Sequence, residues 1–358
     1  MAPDSFKGGP DAAEVARALA SGWREIRPAD DVRLAPMADG GEGTLQVLAH
    51  SEPDAQWHSC PVQGPDGRPV TADWLLLPDG TAVVELARAV GLPLMQTLSA
   101  GTASTYGLGQ LLAAATEDPG TRQILVTLGG SATTDGGGGA LAALGARLLD
   151  AGGRDLGRGG LALAGIASVD LTGLLPPPAG GVVCLVDVSA PLVGPLGAAH
   201  QFGPQKGADA DLVDRLEAAL TRWAEILPGD PRAPGAGAAG GTTYGLVAGW
   251  GATARPGAPA LAELSGLTAG LAEADLVVTG EGRFDAQSLR GKVVGHVLEQ
   301  ADERGVSAAV VAGAVEDPPA GSWQLLSLSR LAGSAAASLA DPTRWMTEAG
   351  RQLARAYG

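Results

Sequence analysis

Apolar positions recur along this chain in two rhythms. Val15, Leu19, Trp23 and Ile26 fall at helical spacing behind Asp11 and Glu14, a candidate capping box. The spacing predicts a helix there. It also predicts helices over 44–50, 106–116, 242–250, 259–271, 293–304 and 342–357. A further helix is predicted over 211–227, with Leu212, Leu216, Leu220 and Trp223 on one face. Short continuous apolar runs predict buried strands at 124–128, 182–187, 276–279 and 306–312, and a lesser strand at 31–35. From 61 to 98, short strands alternate with turns such as Pro65-Asp66-Gly67 and Pro78-Asp79-Gly80. Residues 1–5 read as a loop. A glycine-rich loop at 129–139 leads into a helix reaching 149; 151–181 reads mostly as loop, and the Pro/Gly-rich 228–241 as a linker. Strands alternating with helices from 104 onward imply an α/β fold with largely parallel sheet. A chain of 358 residues exceeds one typical domain. Breaks in composition suggest a discontinuous α/β domain at 1–60 plus 240–358, with a second α/β domain, 61–239, inserted into it.

Composition narrows this picture. Hydrophobic residues make up 45% but aromatic ones only 4%, so the core must be built from Ala, Val and Leu. The 55 glycines follow no triplet period, which excludes a collagen-like chain. A net charge of −15 opposes nucleic acid and anionic membrane. Any anionic ligand therefore needs local Lys or Arg, or a bridging divalent cation. Cys60 and Cys184 form no CxxC motif, which suggests a reducing, cytoplasmic setting. No basic leader or 18-residue apolar run argues for a signal peptide or membrane span.

Charge placement carries the chemistry. The only lysines are Lys7, Lys206 and Lys292, each within a residue of glycine, whereas arginines number 21. Lysine is a compact, movable point charge, and beside closely approachable backbone it suits phosphate. Gly129-Gly130-Ser131-Ala132-Thr133-Thr134-Asp135-Gly136-Gly137 lies between a predicted strand and a helix. It reads either as an anion cradle, with Asp135 toward Mg²⁺ or a hydroxyl, or as a tight capped turn. Ala38-Asp39-Gly40-Gly41-Glu42-Gly43 sets two carboxylates between glycines, for Mg²⁺, for a hydroxyl, or as a helix cap. Thr279-Gly280-Glu281-Gly282-Arg283-Phe284-Asp285 alternates acid and base, which suits a metal–phosphate site or a surface ion-pair loop. Asp187 ends an apolar run, where a carboxylate is costly unless paired or working; it is a candidate base toward a substrate hydroxyl.

Several common signatures fail. Gly235-Ala236-Gly237-Ala238-Ala239-Gly240 matches GxGxxG by letter, but no predicted strand precedes it, so a dinucleotide site is rejected. There is no GxxxxGK[ST] loop and no protein-kinase signature set. The four histidines show no metal-ligand spacing.

Five segments in order resemble the bacterial glycerate kinase family of the first type. They are Ala2-Pro3-Asp4-Ser5-Phe6-Lys7-Gly8, Ala38-Asp39-Gly40-Gly41-Glu42-Gly43-Thr44, the stretch Gly129-Gly130-Ser131-Ala132-Thr133-Thr134-Asp135-Gly136-Gly137, Phe202-Gly203-Pro204-Gln205-Lys206-Gly207, and Gly280-Glu281-Gly282-Arg283-Phe284-Asp285-Ala286-Gln287-Ser288. The resemblance runs from residue 2 to about 313. It implies a two-domain α/β enzyme with its active site in the cleft between domains, moving the γ-phosphoryl group of ATP to D-glycerate with Mg²⁺ to give 2-phosphoglycerate. On that basis Lys7, Lys206 and Asp187 are expected to be catalytic. Ser5, Gly129, Gly130, Ser131, Thr133, Arg283 and Lys292 are expected to contact substrate or phosphate, and Asp39, Asp135, Glu281 and Asp285 the metal. Three readings stay open: formation of 3-phosphoglycerate, a kinase of another small hydroxy acid, and a binder of nucleotide or glycerate without turnover. The oligomeric state, a homodimer included, is open as well. Family members carry Thr-Asn-Pro where this chain has Ser189-Ala190-Pro191, and an apolar strand before the first motif. That second departure leads to the expectation that the native chain starts upstream of Met1.

Overall fold

The computed structural model describes residues 1–6, 9–289, 292–318 and 320–357. Its contacts divide the chain into two compact units. One comprises residues 40–45 and 54–255; the other comprises residues 1–39, 46–53 and 256–358.

In the first of these, six strands form one sheet in the order β1-β2-β3-β4-β7-β8. They are β1 (Gln56–Gln63), β2 (Pro69–Leu76), β3 (Thr81–Glu85), β4 (Gln123–Thr127), β7 (Val182–Val186) and β8 (Thr253–Pro256), while β5 (Arg147–Leu149) and β6 (Ser168–Asp170) pair separately. The turns at 65–67 and 78–80 make β1-β2-β3 an antiparallel meander, whereas β3, β4 and β7 run parallel. The parallel strands are the apolar ones, as expected for strands covered on both faces. One face, carrying Val84, Val126 and Cys184, packs into a core with Trp223, Leu216 and Leu220. The last three lie on the helix Ala210–Ile226, whose N-cap Asp209 accepts from Leu212 N. The alternate face brings Glu85 and Thr127 level with each other at the carboxyl end, with Glu85 paired in register to Thr127.

Two expectations change here. The helix after the glycine-rich loop is short, Gly138–Ala143, and the chain turns into β5 instead of staying helical to 149. Residues 151–181 are mostly loop, as expected, with a 3₁₀ turn at Gly160–Gly165 and β6. The stretch read as a linker is not one. Ala236, Ala238 and Gly240 are buried, and the helix Ala238–Trp250 begins with three left-handed residues, Ala239, Gly240 and Gly241. Composition suggested a linker because glycine and proline also serve tight packing, and here Gly240 lies against Thr133 and Thr134.

In the other unit, β9 (Leu276–Phe284), β10 (Ser307–Val315) and β11 (Gln324–Ser327) are parallel, with β10 central. The sheet continues past β9. Ala2 N donates to Val278 O (2.7 Å), Asp4 N to Gly280 O (2.8 Å), Ala35 N to Met1 O (2.8 Å) and Met37 N to Pro3 O (2.9 Å). Residues 1–4, read as loop, are thus laddered between β9 and residues 33–37. A cavity of about 300 Å³ opens beside Met1, lined by Trp23, Val32, Leu271, Leu276 and Tyr357 among others. The helix Ala12–Ile26 forms with both arms of its capping box in place. It packs through Val15, Leu19 and Trp23 against Met346 and Leu353 of the helix Pro342–Ala356. β9 extends five residues beyond its predicted end, so Glu281 and Arg283 are strand residues paired across from Ala312 and Ala314. Glycines at 280 and 282 had marked a loop; in β9, Gly280 lies against the backbone of Val311 on β10, where a Cβ would have no room.

Candidate active site

In an α/β sheet the loops leaving the carboxyl ends of the strands gather ligands. In the unit built on β3, β4 and β7, the loop at 128–137 leaves β4. Left-handed backbone at Gly130, Gly136 and Gly137 lets it fold back on itself. Its centre is Asp135, which is 1% exposed. Asp135 Oδ2 accepts from Thr105 N (2.8 Å), Thr105 Oγ1 (2.9 Å) and Gly139 N (3.3 Å), and Oδ1 from Gly137 N (3.3 Å). Burial raises its pKa, and these hydrogen bonds oppose the rise. Asp135, expected at a metal, organises its own loop.

Ser131 and Thr133 are buried and share a hydroxyl hydrogen bond of 2.9 Å, while Thr133 N donates to Ser131 Oγ (3.1 Å). Lys206 is 2% exposed, and its Nζ donates to Thr133 O (2.5 Å). Burial lowers its pKa to about 7, against the pull of the Asp135 carboxylate. Expected at phosphate, Lys206 grips the backbone of the phosphate-loop candidate. Trp223 Nε1 donates to Gly136 O (3.0 Å), and Gly136 N to Gly240 O (3.0 Å), so the supposed linker buttresses the loop.

Gly129 and Gly130 meet the second glycine-rich segment. A Cβ on Gly129 would lie 2.4 Å from Gly41 Cα, and one on Gly130 2.2 Å from Glu42 Oε1. Leu128 N donates to Gly40 O (3.1 Å). Beneath them Glu85, 3% exposed at the end of β3, accepts from Gly43 N (3.2 Å) and Leu45 N (3.3 Å), with Arg88 Nε at 3.6 Å. Sequence reasoning passed over Glu85. The available signal was an acidic residue closing the apolar run Ala82-Val83-Val84. Asp187, one residue past β7, is exposed, so the desolvation argument for its activation does not apply.

In the unit built on β9, three neighbouring segments bring carboxylates together: Asp4, Asp39 and, within β9, Glu281. The pKa of Asp4 is pushed up to about 7, first by burial, then by Asp39 and more weakly by Glu281, against hydrogen bonds from Ser5. Ser5 N lies 2.6 Å from Asp4 Oδ1. Glu281 is 9% exposed. This concentration of negative charge fits a hard divalent cation. Among the described residues, no three His, Cys, Asp or Glu side chains could hold a metal by themselves. Mg²⁺ commonly uses one or two carboxylates and completes its shell with water and phosphate. Asp4 stands in the first of the five motifs, where the sequence alone gives it no separate role.

The remaining candidates lie nearby with local partners. Arg283 is exposed and bonds to Glu316, with Asp285 at 4.0 Å. Asp285 Oδ1 accepts from Gln287 N (2.7 Å), and Asp285 N donates to Ser288 Oγ (3.0 Å), which closes a turn. Lys292 is exposed at the N-cap of the helix Val293–Arg304. Lys7 lies outside the described residues.

The family model that matches, over residues 1–358, is described as the glycerate kinase family. A protein of Bacillus subtilis (strain 168) named glycerate kinase is 40% identical over 326 residues, covering 88% of this chain and 84% of that protein. Glycerate 2-kinase of Escherichia coli (strain K12) is 40% identical over 302 residues, covering 82% and 79%. A crystal structure from Salmonella typhimurium LT2, provisionally described as glycerate kinase 2, superimposes with a TM-score of 0.84 at 36% identity. It covers 99% of this chain and 96% of the other.

Proposed function

We propose, from the premise that this chain belongs to the glycerate kinase family, that it transfers the γ-phosphoryl group of ATP to D-glycerate with Mg²⁺, forming 2-phosphoglycerate. The enzyme class is a phosphotransferase with an alcohol group as acceptor, and a kinase implies a nucleotide substrate. The observation that carries the finer reading is the seating of two glycine-rich loops, 40–43 and 129–133, at the carboxyl ends of β3 and β4. Backbone this bare of side chains can approach phosphate closely.

Phosphoryl transfer asks a protein mainly for positioning and for electrostatic stabilisation of the moving charge. Gly129, Gly130, Ser131 and Thr133 supply backbone and hydroxyl groups to the phosphates. Lys206 and Asp135 hold that loop in shape. Asp187, exposed at the end of β7, orients the glycerate hydroxyl and accepts its proton. Lys7 adds a positive charge at the phosphates, with Lys292 as a second source. Asp39 and Glu281 would hold Mg²⁺, which when bound neutralises phosphate charge. Arg283 and Asp285 border that group, and Ser5 keeps the Asp4 carboxyl oriented. Cys60 and Cys184 are unpaired, in keeping with the cytoplasm, where ATP is available.

The test is direct. Purified protein with D-glycerate and Mg-ATP should release ADP, and phosphorus NMR should place the phosphate on the 2-hydroxyl. A 3-phosphorylated product would overturn the regiochemistry. ADP release with tartronate but not glycerate would overturn the substrate, and Mg-ATP binding without turnover would leave a binding protein.

A further inference from the structure

We propose that Glu85 is a positioning residue of the active site: its buried carboxylate fixes the two glycine-rich loops against each other and seats Glu42 over Gly130 as a substrate-facing carboxylate. The inference deepens the kinase reading above and rests on it for the role of Glu42.

A carboxylate that is 3% exposed is unfavourable unless its oxygens find donors. Glu85 finds them in one place. Oε1 takes Gly43 N and Oε2 takes Leu45 N, at 3.2 and 3.3 Å. Both donors flank Thr44, where the helix Thr44–Ser51 begins. The segment is held by more than this one carboxylate. Leu128 N and Gly129 N reach Gly40 O at 3.1 and 3.5 Å, and Thr44 Oγ1 closes the turn onto Gly41 O at 2.8 Å. The loop at 40–45 is therefore fixed at its start by the end of β4 and at its end by β3.

Between those anchors the two loops touch with no slack. Methyl-sized groups at Gly129 or Gly130 would overlap Gly41 or Glu42. A shift in residues 41–43 must therefore move the phosphate-loop candidate or part from it. Glu42 itself is exposed, and burial does not explain why it lies over Gly130. Its location sets a carboxylate against Gly130, in the backbone that would receive phosphate, and Glu85 sets that location from below. Arg88, at 3.6 Å from Glu85, limits the loss from burying the charge.

Glu85→Gln keeps the shape but can accept only one of the two amides in the observed geometry. It should lower kcat for glycerate by tenfold or more, with KM for glycerate and ATP within about threefold of wild type. Amide exchange at Gly43 and Leu45 should speed up while exchange in β4 and β7 stays unchanged. Glu42→Gln should also lower kcat, and the double variant should be no slower than the worse single one, because one residue acts through the other. Losses that multiply, an inert Glu42→Gln, or unchanged exchange at Gly43 and Leu45 would each overturn the proposal. Glu85→Asp, which keeps the charge but shortens the reach, should fall between wild type and Glu85→Gln. If neither Glu85 variant folds, Glu85 is a folding residue and the assignment is wrong. A wild-type protein that does not phosphorylate glycerate would refute the kinase reading instead; the exchange at Gly43 and Leu45 then still decides whether Glu85 holds the loop.

Discussion

Lys206 carries the clearest divergence between a residue's chemistry and its place. As one of three lysines beside glycine it reads as a mobile positive charge for phosphate, yet it lies buried with its ammonium against Thr133 O. Glycine neighbours signal close backbone approach, and the sequence does not say whether that backbone belongs to the ligand's cradle or to the lysine's own anchor. The pKa shift gives a test with a defined sign. Lys206 falls from 10.5 to about 7 on folding, chiefly by burial. The unfolded chain therefore binds more protons than the folded one between those values, and stability contributed at this site rises with pH across the window. Below about 7 both states are protonated, and the folded state bears the full cost of the buried charge. Lys206→Met removes that cost and its pH dependence. Urea unfolding from pH 7 to 9 should show wild type gaining on the variant as pH rises. A stability difference that is flat in pH, or wild type losing ground to the variant as pH rises, would contradict the buried ammonium. Asp187 diverges the other way: an apolar run ending in Asp suggested burial, but β7 stops at Val186 and leaves it exposed.

At the scale of elements, periodicity read the long helices well because amphipathic stripes are local. The helix Val293–Arg304 falls within its expected bounds, and the helix Ala12–Ile26 begins at the capping box that Asp11 and Glu14 announced. Glycine-rich segments were the least legible. The same residue serves a turn at 136–137, a close strand contact at Gly280 and a buried left-handed helix start at 240–241. Only the partner segment tells these uses apart, and partners are distant in sequence. Gly129 illustrates the consequence. Its neighbour is backbone, Gly41 Cα at 2.4 Å from where a Cβ would stand, so a side chain there cannot be relieved by a rotamer change. Gly129→Ala should push the loops apart and reduce kcat/KM for glycerate by roughly a hundredfold, the scale of loss a displacement of about 1 Å can cause. Gly130→Ala meets the end of the flexible Glu42 side chain instead, but at a φ of +73°, where alanine is strained. Because that side chain can turn aside, Gly130→Ala should leave more activity than Gly129→Ala retains. The reverse order in a steady-state assay would mean that the contact between loops is not what limits turnover.

For the whole molecule, a chain with net charge −15 must gather anionic substrates against its own field. The candidates fall into two groups, one in each compact unit. Gly129, Ser131, Thr133, Lys206 and Asp187 belong to the unit of β3, β4 and β7, and Asp4, Asp39, Glu281 and Lys292 to the unit of β9 and β10. The motifs carry most members of both groups, Asp187 and Lys292 excepted, since each motif is short and glycine-marked. Their division of labour was not legible, because burial separates the residues that shape a loop, Asp135 and Lys206, from those that present charge. If both groups serve one reaction, ligands must register in both. Mg-ATP with glycerate should slow amide exchange at 129–137 and also at 2–4 and 280–282, in proportion to occupancy. Mg²⁺ alone should act mainly on the second group, where Asp4 is pushed up to about 7 by burial and by Asp39. A cation held there favours the deprotonated carboxyl, so its binding should release protons near neutral pH, seen as a dependence of the binding heat on buffer ionisation. Protection confined to 129–137 under every ligand combination would remove Asp39 and Glu281 from the reaction and leave the acidic cluster as a feature of the sheet alone.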